Sequence, residues 1–543
     1  MERCISSSCI AGDARKRKSK DHGALTARVF RLIAGALLVM VSGCATLPKD
    51  YPREPSRAWD RPQETKLGRA IVPAAAQHPG MSGFHVLGNG MDAFVGRMAL
   101  AEAAERTLDL QYYILHVDLT GKLILDSLVR AADRGVRVRL LIDDTTAKGK
   151  DAGIAALASH PRIEVRVFNP AAGRSSASWL FSAAADFDRI NHRMHNKMFV
   201  ADNQAGVVGG RNIGDEYFGA REGVNFADMD LLAMGPVVQD LSRSFDEFWN
   251  SEWAYPIEAL HTAKPDPAAM EKGREMLAAH RAAAEDSDYA KRLRGSDLLK
   301  RLEGRELPMV WAPARVVYDR PEKAGSEGQP ADDLKLATQL KSAVTEPRSD
   351  LLISSPYFIP GERGVASFRL LREKGVRIRI VTNSFAGNDV ALVHSGYAKY
   401  RKDLLKLGVE LYELKPSLAA APEKDRQRFG SSGASLHAKV FIVDREQVFV
   451  GSLNLDPRSL DLNTELGFIV ESRELAEILA RQFSELIRPA YAYRLVLEPP
   501  DGDLLWISEE NGREVRFTRD PDVGFWRRFS TWFLSFFAPE SLL

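Results

Sequence analysis

One spacing pattern occurs twice in this chain, and an internal repeat restricts the folds that the chain can adopt. The pattern is His, any residue, Lys, four residues, Asp, six residues, and then Gly, two residues and Asn. Its copies are His195, Lys197, Asp202, Gly209 and Asn212, and then His437, Lys439, Asp444, Gly451 and Asn454. The two histidines are 242 residues apart. Because a constant long offset indicates a duplicated unit, two similar halves are predicted.

Strand-like and helix-like segments alternate around each copy. In the first half, strand-like residues 108–114 precede a helical pattern over 121–134, which Gly135 ends before strand-like residues 136–143. The second half repeats this order at 350–358, 364–374, Gly375 and 376–382, and its glycine follows the first by 240 residues. A strand, a helix and another strand form a parallel crossover unit. The predicted fold class is therefore α/β, built from two similar halves.

Composition suggests where these halves begin and end. The chain has 543 residues, of which 45% are hydrophobic and 27% are charged, so it can build ordinary globular domains. Residues 44–66 combine prolines with charged side chains, which is typical of a tether. The remaining predicted segments are a first domain at 67–260, a helical connector at 261–306, a second domain at 307–500 and a tail at 501–543.

The N-terminus has the features of an export signal. A basic segment is followed by apolar residues 32–41, too few to span a membrane, and then by Ser42-Gly43-Cys44. This order resembles a bacterial lipoprotein signal, which implies removal of residues 1–43 and lipidation of Cys44. The chain would then be anchored in the cell envelope, facing the periplasm, with the choice of inner or outer membrane open. The alternative is an uncleaved N-terminal anchor.

The repeated residues suit chemistry on a phosphodiester. On an extended strand, residues two apart point to the same side, so each His would lie beside a Lys. The glycine-containing turn lets the backbone approach a ligand, and the Asn supplies an amide donor. Two facing halves would supply cations for phosphoryl oxygens, one imidazole to attack phosphorus and one to protonate the leaving oxygen. The predicted phosphate-binding residues are Gly210, Asn212, Ser452 and Asn454, and Asp202 and Asp444 are predicted to be structural acids that cap a turn.

Charge and the C-terminus bear on the substrate. Residues 1–43 carry eight Lys and Arg against three acids, which leaves the remaining chain with a net charge of −4. No overall basic field therefore favours nucleic acid as a partner. In residues 525–537, aromatic and apolar side chains recur at helical spacing beside Arg527 and Arg528, which favours an amphipathic helix at a membrane surface. The alternative is a helix that docks into the core of the protein.

The duplicated motif resembles that of the phospholipase D superfamily over roughly residues 83–499. The resemblance implies two α/β/α halves about a pseudo-twofold axis, one shared active site in a monomer, no metal or other cofactor, and a phosphohistidine intermediate. By this resemblance His195 is the nucleophile and His437 the general acid and then base, although the symmetry allows the reverse. The pattern also assigns Asp228 to orient His195, with Asp230 as the alternative, and Glu465 to orient His437. The implied catalytic residues are His195, Lys197, Asp228, His437, Lys439 and Glu465.

Several shorter segments resemble the cardiolipin synthase C branch of this superfamily. They are Arg193 to Lys197, Val208 to Phe218, Leu110 to Ile114, and Trp526 to Leu543. This resemblance implies transfer of a phosphatidyl group to phosphatidylglycerol. Hydrolysis of phospholipids to phosphatidic acid is the first alternative, because water and a lipid alcohol can resolve the same intermediate. A secreted nuclease is the second.

Overall fold

A computed structural model describes most of the chain. The described residues are 47–48, 51–172, 174, 187–260, 266–304, 306–326, 330–388, 390–416, 433–499, 502–510 and 512–535. The predicted signal at 1–43 and Cys44 lie outside them. The chain divides into two compact units, Met1–Lys49 with Ala171–Phe187, and Asp50–Pro170 with Asp188–Leu543. Apart from Ala171–Phe187, both halves predicted from the repeat belong to the second unit.

A mixed sheet forms the centre of the first half. The strands of this region are β1 (Ser82–Leu87), β2 (Thr107–Tyr112), β3 (Arg137–Asp143), β4 (Ile163–Phe168), β5 (Met198–Ala201), β6 (Ala205–Gly209), β7 (Val224–Ala227), β8 (Asp230–Met234), β9 (Ala254–Pro256) and β10 (Val310–Ala312). All of them except β7 belong to the sheet. Within the described residues the sheet has nine strands, in the order β10-β1-β8-β6-β5-β2-β3-β4-β9. The pairs β2–β3 and β3–β4 are parallel, which confirms the predicted crossover.

The second half has a sheet of the same kind. The strands of this region are β11 (Ala314–Tyr318), β12 (Asp350–Ser354), β13 (Arg377–Asn383), β14 (Glu410–Leu414), β15 (Gly433–Leu436), β16 (Val440–Val443), β17 (Gln447–Gly451), β18 (Leu466–Glu471), β19 (Ala492–Glu498), β20 (Asp503–Glu510) and β21 (Arg513–Phe517). All of them except β15 belong to the sheet. The described part of this sheet has ten strands, in the order β11-β18-β17-β16-β12-β13-β14-β19-β20-β21. The pairs β12–β13 and β13–β14 are parallel, as in the first half.

Helices cover both sheets. They are α1 (Lys66–Ala76), α2 (Gly90–Ala103), α3 (Leu119–Asp133), α4 (Asp144–Ala147), α5 (Asp151–Ala158), α6 (Phe187–Asn191), α7 (Asp215–Phe218), α8 (Pro236–Trp249), α9 (Ile257–Leu260), α10 (Pro267–Glu285), α11 (Asp288–Arg294), α12 (Asp297–Gly304), α13 (Leu336–Ala343), α14 (Gly361–Glu373), α15 (Ala391–Ala398), α16 (Arg401–Lys406), α17 (Arg473–Leu486) and α18 (Phe525–Ser535). The corresponding helices α3 and α14 are each followed, two residues after their last residue, by a glycine of positive φ, Gly135 at 95° and Gly375 at 84°. Glycine ends a helix in this conformation because it has no Cβ to clash.

The two halves share one hydrophobic core. Phe84 of β1 meets Phe468 of β18 with ring centroids 5.8 Å apart, and residues of β6 and β8 pack near β17. The apolar sides of α8 and α17 complete this core, while separate cores lie beneath the outer helices of each sheet. The α/β class and the duplication are thus confirmed.

The structure corrects three of the predicted boundaries. Residues of the expected tether lie on the first half, where the buried Arg139 donates to the carbonyl oxygen of Ser56 at 3.0 Å. Strand β10, assigned to the second domain, pairs with β1 of the first sheet. Strands β20 and β21 of the expected tail extend the second sheet. Composition shows that a segment is polar. It does not show whether the backbone of that segment will form hydrogen bonds with the edge of a sheet or with a buried cation.

Candidate active site

Each His-x-Lys segment runs beside an extended segment of the other half. The segments are extended and lie immediately before β5 and β16 rather than within these strands. In the first, the amide of His195 donates to the carbonyl oxygen of Thr464 at 2.9 Å, and the amide of Thr464 donates to Arg193. In the second, β15 pairs in parallel with β7, and the amide of His437 donates to the carbonyl oxygen of Ala227 at 2.8 Å. Backbone hydrogen bonds therefore hold the two histidine segments against opposite halves.

These backbone contacts exchange the carboxylate partners of the histidines. His195 Nδ1 lies 3.0 and 2.9 Å from the two carboxylate oxygens of Glu465, and His437 Nδ1 lies 2.6 Å from Oδ2 of Asp228. The expectation that Asp228 orients His195 and Glu465 orients His437 is therefore wrong. Each His-x-Lys motif is followed by one of these two acids, 33 residues after His195 and 28 after His437, and this order is the same whether the acids pair within a half or between the halves. The sequence alone therefore could not distinguish the two pairings.

Asp230, the alternative partner, has a different place. It is buried in an ion pair with Arg97 at 3.0 Å and lies 3.4 Å from a guanidinium nitrogen of Arg211. Arg211 also donates to the carbonyl oxygens of Leu87 and Asp228. A buried carboxylate requires such partners. The Asp230 cluster thus supports the backbone behind Asp228 rather than either imidazole.

Both lysines are buried beside their histidines. Lys197 and Lys439 are each 1% exposed, and each ammonium donates to the carbonyl oxygen of the His two residues earlier. Lys439 Nζ also lies 3.1 Å from His437 Nδ1. Burial lowers the pKa of Lys197 well below its usual range; Glu465 opposes this change and Lys439 adds to it. An anionic phosphate between the two ammonium groups would relieve this unfavourable electrostatic situation.

The two carboxylates have different charge environments. Burial acts to raise the pKa of Asp228, but His437, Lys439 and Arg211 outweigh burial and hold that pKa below its usual range. Burial raises the pKa of Glu465 to about 7, although Lys197 and a hydrogen bond from Ser452 oppose the rise. Asp228 is consequently ionised throughout the neutral range, whereas Glu465 changes charge near neutrality.

The imidazoles differ as well. Burial, Lys197 and Lys439 lower the pKa of His195 well below its ordinary value. Burial and Lys439 also lower the pKa of His437, but Asp228 acts in the opposite direction. With a carboxylate at each Nδ1, Nε2 is the nitrogen that can face a substrate. A neutral His195 can attack phosphorus, and His437 beside a permanent anion is better suited to carry a proton.

Two of the predicted phosphate-binding residues, Gly210 and Ser452, lie against the carboxylates that contact the histidines. A Cβ at Gly210 would lie 2.2 Å from Oδ1 of Asp228, so this glycine makes room for the carboxylate. Ser452, at the equivalent position, donates its hydroxyl to Glu465 and accepts from the amide of Leu466 at 3.0 Å. Its side chain therefore supports Glu465. The sequence indicated the turn but not these contacts.

The two asparagines of the motif differ in their hydrogen bonding. Asn212 accepts from the amide of Ile114 at 3.1 Å and donates to the hydroxyl of Tyr217 at 2.9 Å. Asn454 is 3% exposed, and its Oδ1 has no hydrogen-bond partner within the described residues. An unsatisfied buried amide oxygen is unusual in proteins. Of the two, Asn454 thus has free hydrogen-bonding capacity in the described part of the chain.

Asp202 and Asp444 lie away from the histidines, at the ends of β5 and β16. Asp202 accepts from the amides of Glu105, Arg106 and Thr107, at 2.7 to 2.9 Å. Asp444 accepts from the amides of residues 348–350, at 2.7 to 3.1 Å. Both have positive φ, 52° and 51°, at the start of a tight turn. Each carboxylate joins the turn to the beginning of a neighbouring strand.

Aromatic residues around the imidazoles were not predicted. The ring of Tyr113 meets His195 edge-on with centroids 5.2 Å apart, and Tyr217 and Phe226 lie 5.3 and 5.0 Å from His437. Tyr113 and Tyr217 fall in segments with a recognisable pattern, but neither has a spacing that indicates a contact with histidine. Arg458, which donates to Asn191 at 2.7 and 2.9 Å, contributes to lowering the pKa of His195 and had no local signal.

No group of three or more His, Cys, Asp and Glu side chains within the described residues has the geometry to hold a metal ion. The site instead combines two His–carboxylate pairs with two buried ammonium groups. This arrangement can bind one phosphodiester, attack it with one imidazole and exchange a proton with the other.

The C-terminal helix α18 lies near the second-half part of the site. Its Phe525 and Trp526 are 71% and 76% exposed, and several later apolar residues are also exposed. Arg527 donates to the carbonyl oxygens of Ala386 and Asn388, at 3.4 and 2.7 Å. The exposed rings show that the helix does not bury its aromatic face in the protein core. Among the described residues, no helix has the length and hydropathy needed to cross a membrane.

Comparison with known proteins gives consistent matches. A family model described as "Cardiolipin synthase, PLD-like domain" matches residues 98–249 and again 336–487. Cardiolipin synthase C of Escherichia coli is 42% identical over 88% of this chain and 100% of its own length. An uncharacterized protein of Helicobacter pylori is 30% identical over 90% of this chain and 95% of its own. The crystal structure of a phosphatidylserine synthase from Haemophilus influenzae aligns with 77% of this chain and 90% of its own, at 14% identity and a TM-score of 0.49.

Proposed function

Because the chain belongs to the family of phospholipase D-like cardiolipin synthases, we propose that it transfers a phosphatidyl group to phosphatidylglycerol and so forms cardiolipin. The observation that carries this proposal is the pair of crossed contacts, His195 with Glu465 and His437 with Asp228, on either side of two buried lysines. Such a site holds one phosphodiester between two imidazoles.

The first step forms a phosphohistidine. Nε2 of neutral His195 attacks phosphorus, the bond from phosphorus to the headgroup oxygen breaks, and His437 gives its Nε2 proton to that oxygen. Lys197 and Lys439 stabilise the negative charge on the phosphoryl oxygens. Ionised Glu465 stabilises the positive ring of the phosphorylated His195 through Nδ1.

The second step releases the product. A hydroxyl of phosphatidylglycerol attacks the phosphohistidine, His437 accepts its proton, and the bond from phosphorus to His195 breaks. Water in place of the lipid alcohol would give phosphatidic acid. Exclusion of water from the buried site favours transfer, since both histidines are only 7% exposed.

The test uses purified protein with labelled phosphatidylglycerol, alone and with phosphatidylethanolamine, and measures cardiolipin and phosphatidic acid. We expect cardiolipin to be the main lipid product. Phosphatidic acid as the only product would support a phospholipase D instead, and cleavage of nucleic acid without any lipid product would support a nuclease. The His195→Ala variant is the control for contaminating activity.

We propose that α18 attaches the active-site side of the protein to a phospholipid surface. Arg527 is bonded to the loop that follows β13, and Gly387 of the same loop accepts a hydrogen bond from Ser435 at 2.9 Å. Asn383 at the end of β13 accepts from the amide of Leu436, the neighbour of His437, at 2.7 Å. Exposed aromatic side chains on a helix insert into the headgroup region of a bilayer. The anchored helix would therefore present the site to its lipid substrates.

Vesicle binding tests the role of α18. The double change Trp526→Glu and Phe529→Glu should reduce sedimentation with phosphatidylglycerol vesicles about tenfold or more, because charge on the apolar face prevents insertion. Leu370→Glu, at a 60% exposed residue of α14, is the matched control and should bind like the unchanged protein. Equal binding by all three proteins would contradict the proposal.

We further propose that residues 1–43 are removed, that Cys44 is lipidated, and that the protein acts as a monomer in the periplasm. The signal pattern supports the removal of residues 1–43, the lipidation of Cys44 and the periplasmic location. The presence of both histidine pairs in one chain supports the monomer. Metabolic labelling with palmitate should label the protein but not its Cys44→Ser variant. Light scattering in detergent, corrected for the micelle, should give the mass of one chain.

A further inference from the structure

An apolar cleft opens beside the first-half part of the site. It lies between α3, α5, α10 and strand β3 and has a volume of about 600 Å³. Leu125 and Val129 of α3, Ile154 and Leu157 of α5, and Met270 and Leu277 of α10 line it. The volume lies within the range of roughly 300–1,000 Å³ that is typical of small-molecule sites. Nothing in the two-step reaction described above uses this cleft.

Hydrogen bonds connect the cleft to the active site. Thr146, which lines the cleft, donates to the carbonyl oxygen of Tyr113 at 2.9 Å and accepts from the amide of Leu115 at the same distance. The ring of Tyr113 contacts His195, and the amide of Ile114 donates to Asn212. The segment 113–115 therefore has one end at the nucleophile and the other at the wall of the cleft.

The mouth of the cleft has both apolar and cationic character. Val117 and Met276 line it and are 46% and 54% exposed. Lys150 also lines it, and its ammonium donates to the carbonyl oxygen of Leu115 at 3.4 Å. Burial lowers the pKa of Lys150, which Asp118 opposes. Three cationic side chains line the cleft, and Lys150 among them is bonded to the segment that leads to His195. The groove is therefore complementary to an amphiphile whose anionic head lies at the active site.

We propose that this cleft holds an acyl chain of the phospholipid whose phosphate occupies the histidine site, with Lys150 beside the glycerol and phosphate region. This inference rests on the proposed function, since it assumes that the substrate is a phospholipid. It adds that the protein extracts part of the chain from the bilayer. For a lipid supplied as a monomer in water, each further methylene that enters the cleft should improve apparent affinity roughly fourfold until the cleft is full.

Two glycines in the cleft allow it to be filled without disturbing the backbone. A Cβ added at Gly153 of α5 or at Gly273 of α10 would meet no atom within 4 Å, so a larger side chain can extend into the open space. Gly153→Trp and Gly273→Trp are therefore blocking variants. Gly153→Ala controls for the change in helix propensity, and Leu370→Trp controls for added surface bulk.

Kinetics with two substrates test the inference. The blocking variants should raise KM for dioctanoyl-phosphatidylglycerol, supplied as a monomer in water, about tenfold, which corresponds to roughly two methylenes left unburied. They should change kcat/KM for dihexanoyl-phosphatidylglycerol by no more than about twofold. An equal KM effect on both lipids, or none on the longer lipid, would overturn the inference, provided that melting temperatures match those of the controls.

Photocrosslinking separates this inference from the proposed reaction, because it does not require turnover. A phosphatidylglycerol with a diazirine at the end of one acyl chain is bound to His195→Ala protein, irradiated and mapped by peptide mass spectrometry. We expect labels on α5 and α10, reduced at least about fivefold by Gly273→Trp. Labels confined to α18 would overturn the acyl-chain site. Labels in the cleft of a protein that forms no cardiolipin would support the cleft and contradict only the proposed reaction.

Discussion

The two halves each supply a His-x-Lys pair and a carboxylate to the site, but the two histidines have different electrostatic environments. Behind His437 lies Asp228, whose neighbours Arg211, Lys439 and His437 keep it ionised. Behind His195 lies Glu465, which burial holds at a pKa of about 7. Two further acids of the second half are buried: burial raises the pKa of Asp319 to about 6 and that of Asp456 to about 7.

Residues outside the His-x-Lys pairs also differ between the halves, and one of them, Arg211, helps to lower the pKa of Asp228. Where the first half has Arg211, the second has Leu453, and where the first has Gly214, the second has Asp456. A duplicated site therefore retains its geometry while its two histidines acquire distinct chemical roles. The His195 side is suited to a neutral nucleophile and the His437 side to proton transfer.

The largest expected effect comes from removing one imidazole at a time. His195→Ala should lower kcat several powers of ten, and residual activity above about one per cent would contradict its role as nucleophile. His437→Ala should lose comparable activity on phospholipids but regain much of it on a p-nitrophenyl phosphodiester, whose leaving group needs no proton. Recovery in His195→Ala instead would show that the roles of the two halves are exchanged.

The next effect distinguishes the two carboxylates by pH. In the unchanged protein kcat/KM should fall as the pH decreases through about 7, because Glu465 becomes protonated and no longer stabilises the phosphohistidine. Glu465→Gln should be roughly 100-fold less active at pH 8, and its pH profile should lack this acidic limb, the fall in kcat/KM near pH 7. Asp228→Asn should be slower by about 100- to 10,000-fold, with the limb near pH 7 retained. A neutral limb that remains in Glu465→Gln would assign it to another group.

A smaller effect is expected at the equivalent turn positions. Gly210→Ala should lower activity about 100-fold, because the new Cβ must displace the carboxylate of Asp228. Ser452→Ala removes a hydrogen bond that lowers the pKa of Glu465, so the activity limb should move to higher pH. Its maximal rate should change less, by about tenfold. Similar losses in both variants without a pH shift would contradict this difference between the halves.

The smallest effect concerns stability. Asp456 is buried with its pKa raised to about 7, so the folded protein binds a proton that the unfolded chain releases near its ordinary pKa. Stability should consequently fall as the pH rises from the ordinary value towards 7, and the loss remains above it. Asp456→Asn should be more stable than the unchanged protein at pH 8, by on the order of 2 kcal/mol, and little different at low pH. Calorimetry at the two pH values would measure this, with Asp461→Asn, a partly exposed acid of the same turn, as the control.

Local patterns were sufficient for much of the fold. The helix pattern ending at Gly135 and its copy at Gly375 reflect the need for a left-handed residue after a helix, a requirement that acts within a few residues. The duplicated histidine and lysine spacing was equally visible, because it lies within one extended segment. The amphipathic pattern of α18 followed from helical spacing, although the exposure of its aromatic side did not. Each of these inferences depends on neighbours in sequence.

What the sequence by itself determined is therefore the α/β halves, their duplication and the residues of the repeated motif. The tertiary structure alone decided which acid lies behind which histidine. The pairing follows from the ladder between β7 and β15 and from the bond between His195 and Thr464, which join residues more than 200 positions apart. It also decided that Gly210 makes room for Asp228 while Ser452 supports Glu465. Burial sets the charge of these carboxylates, and burial depends on the packing of both halves together.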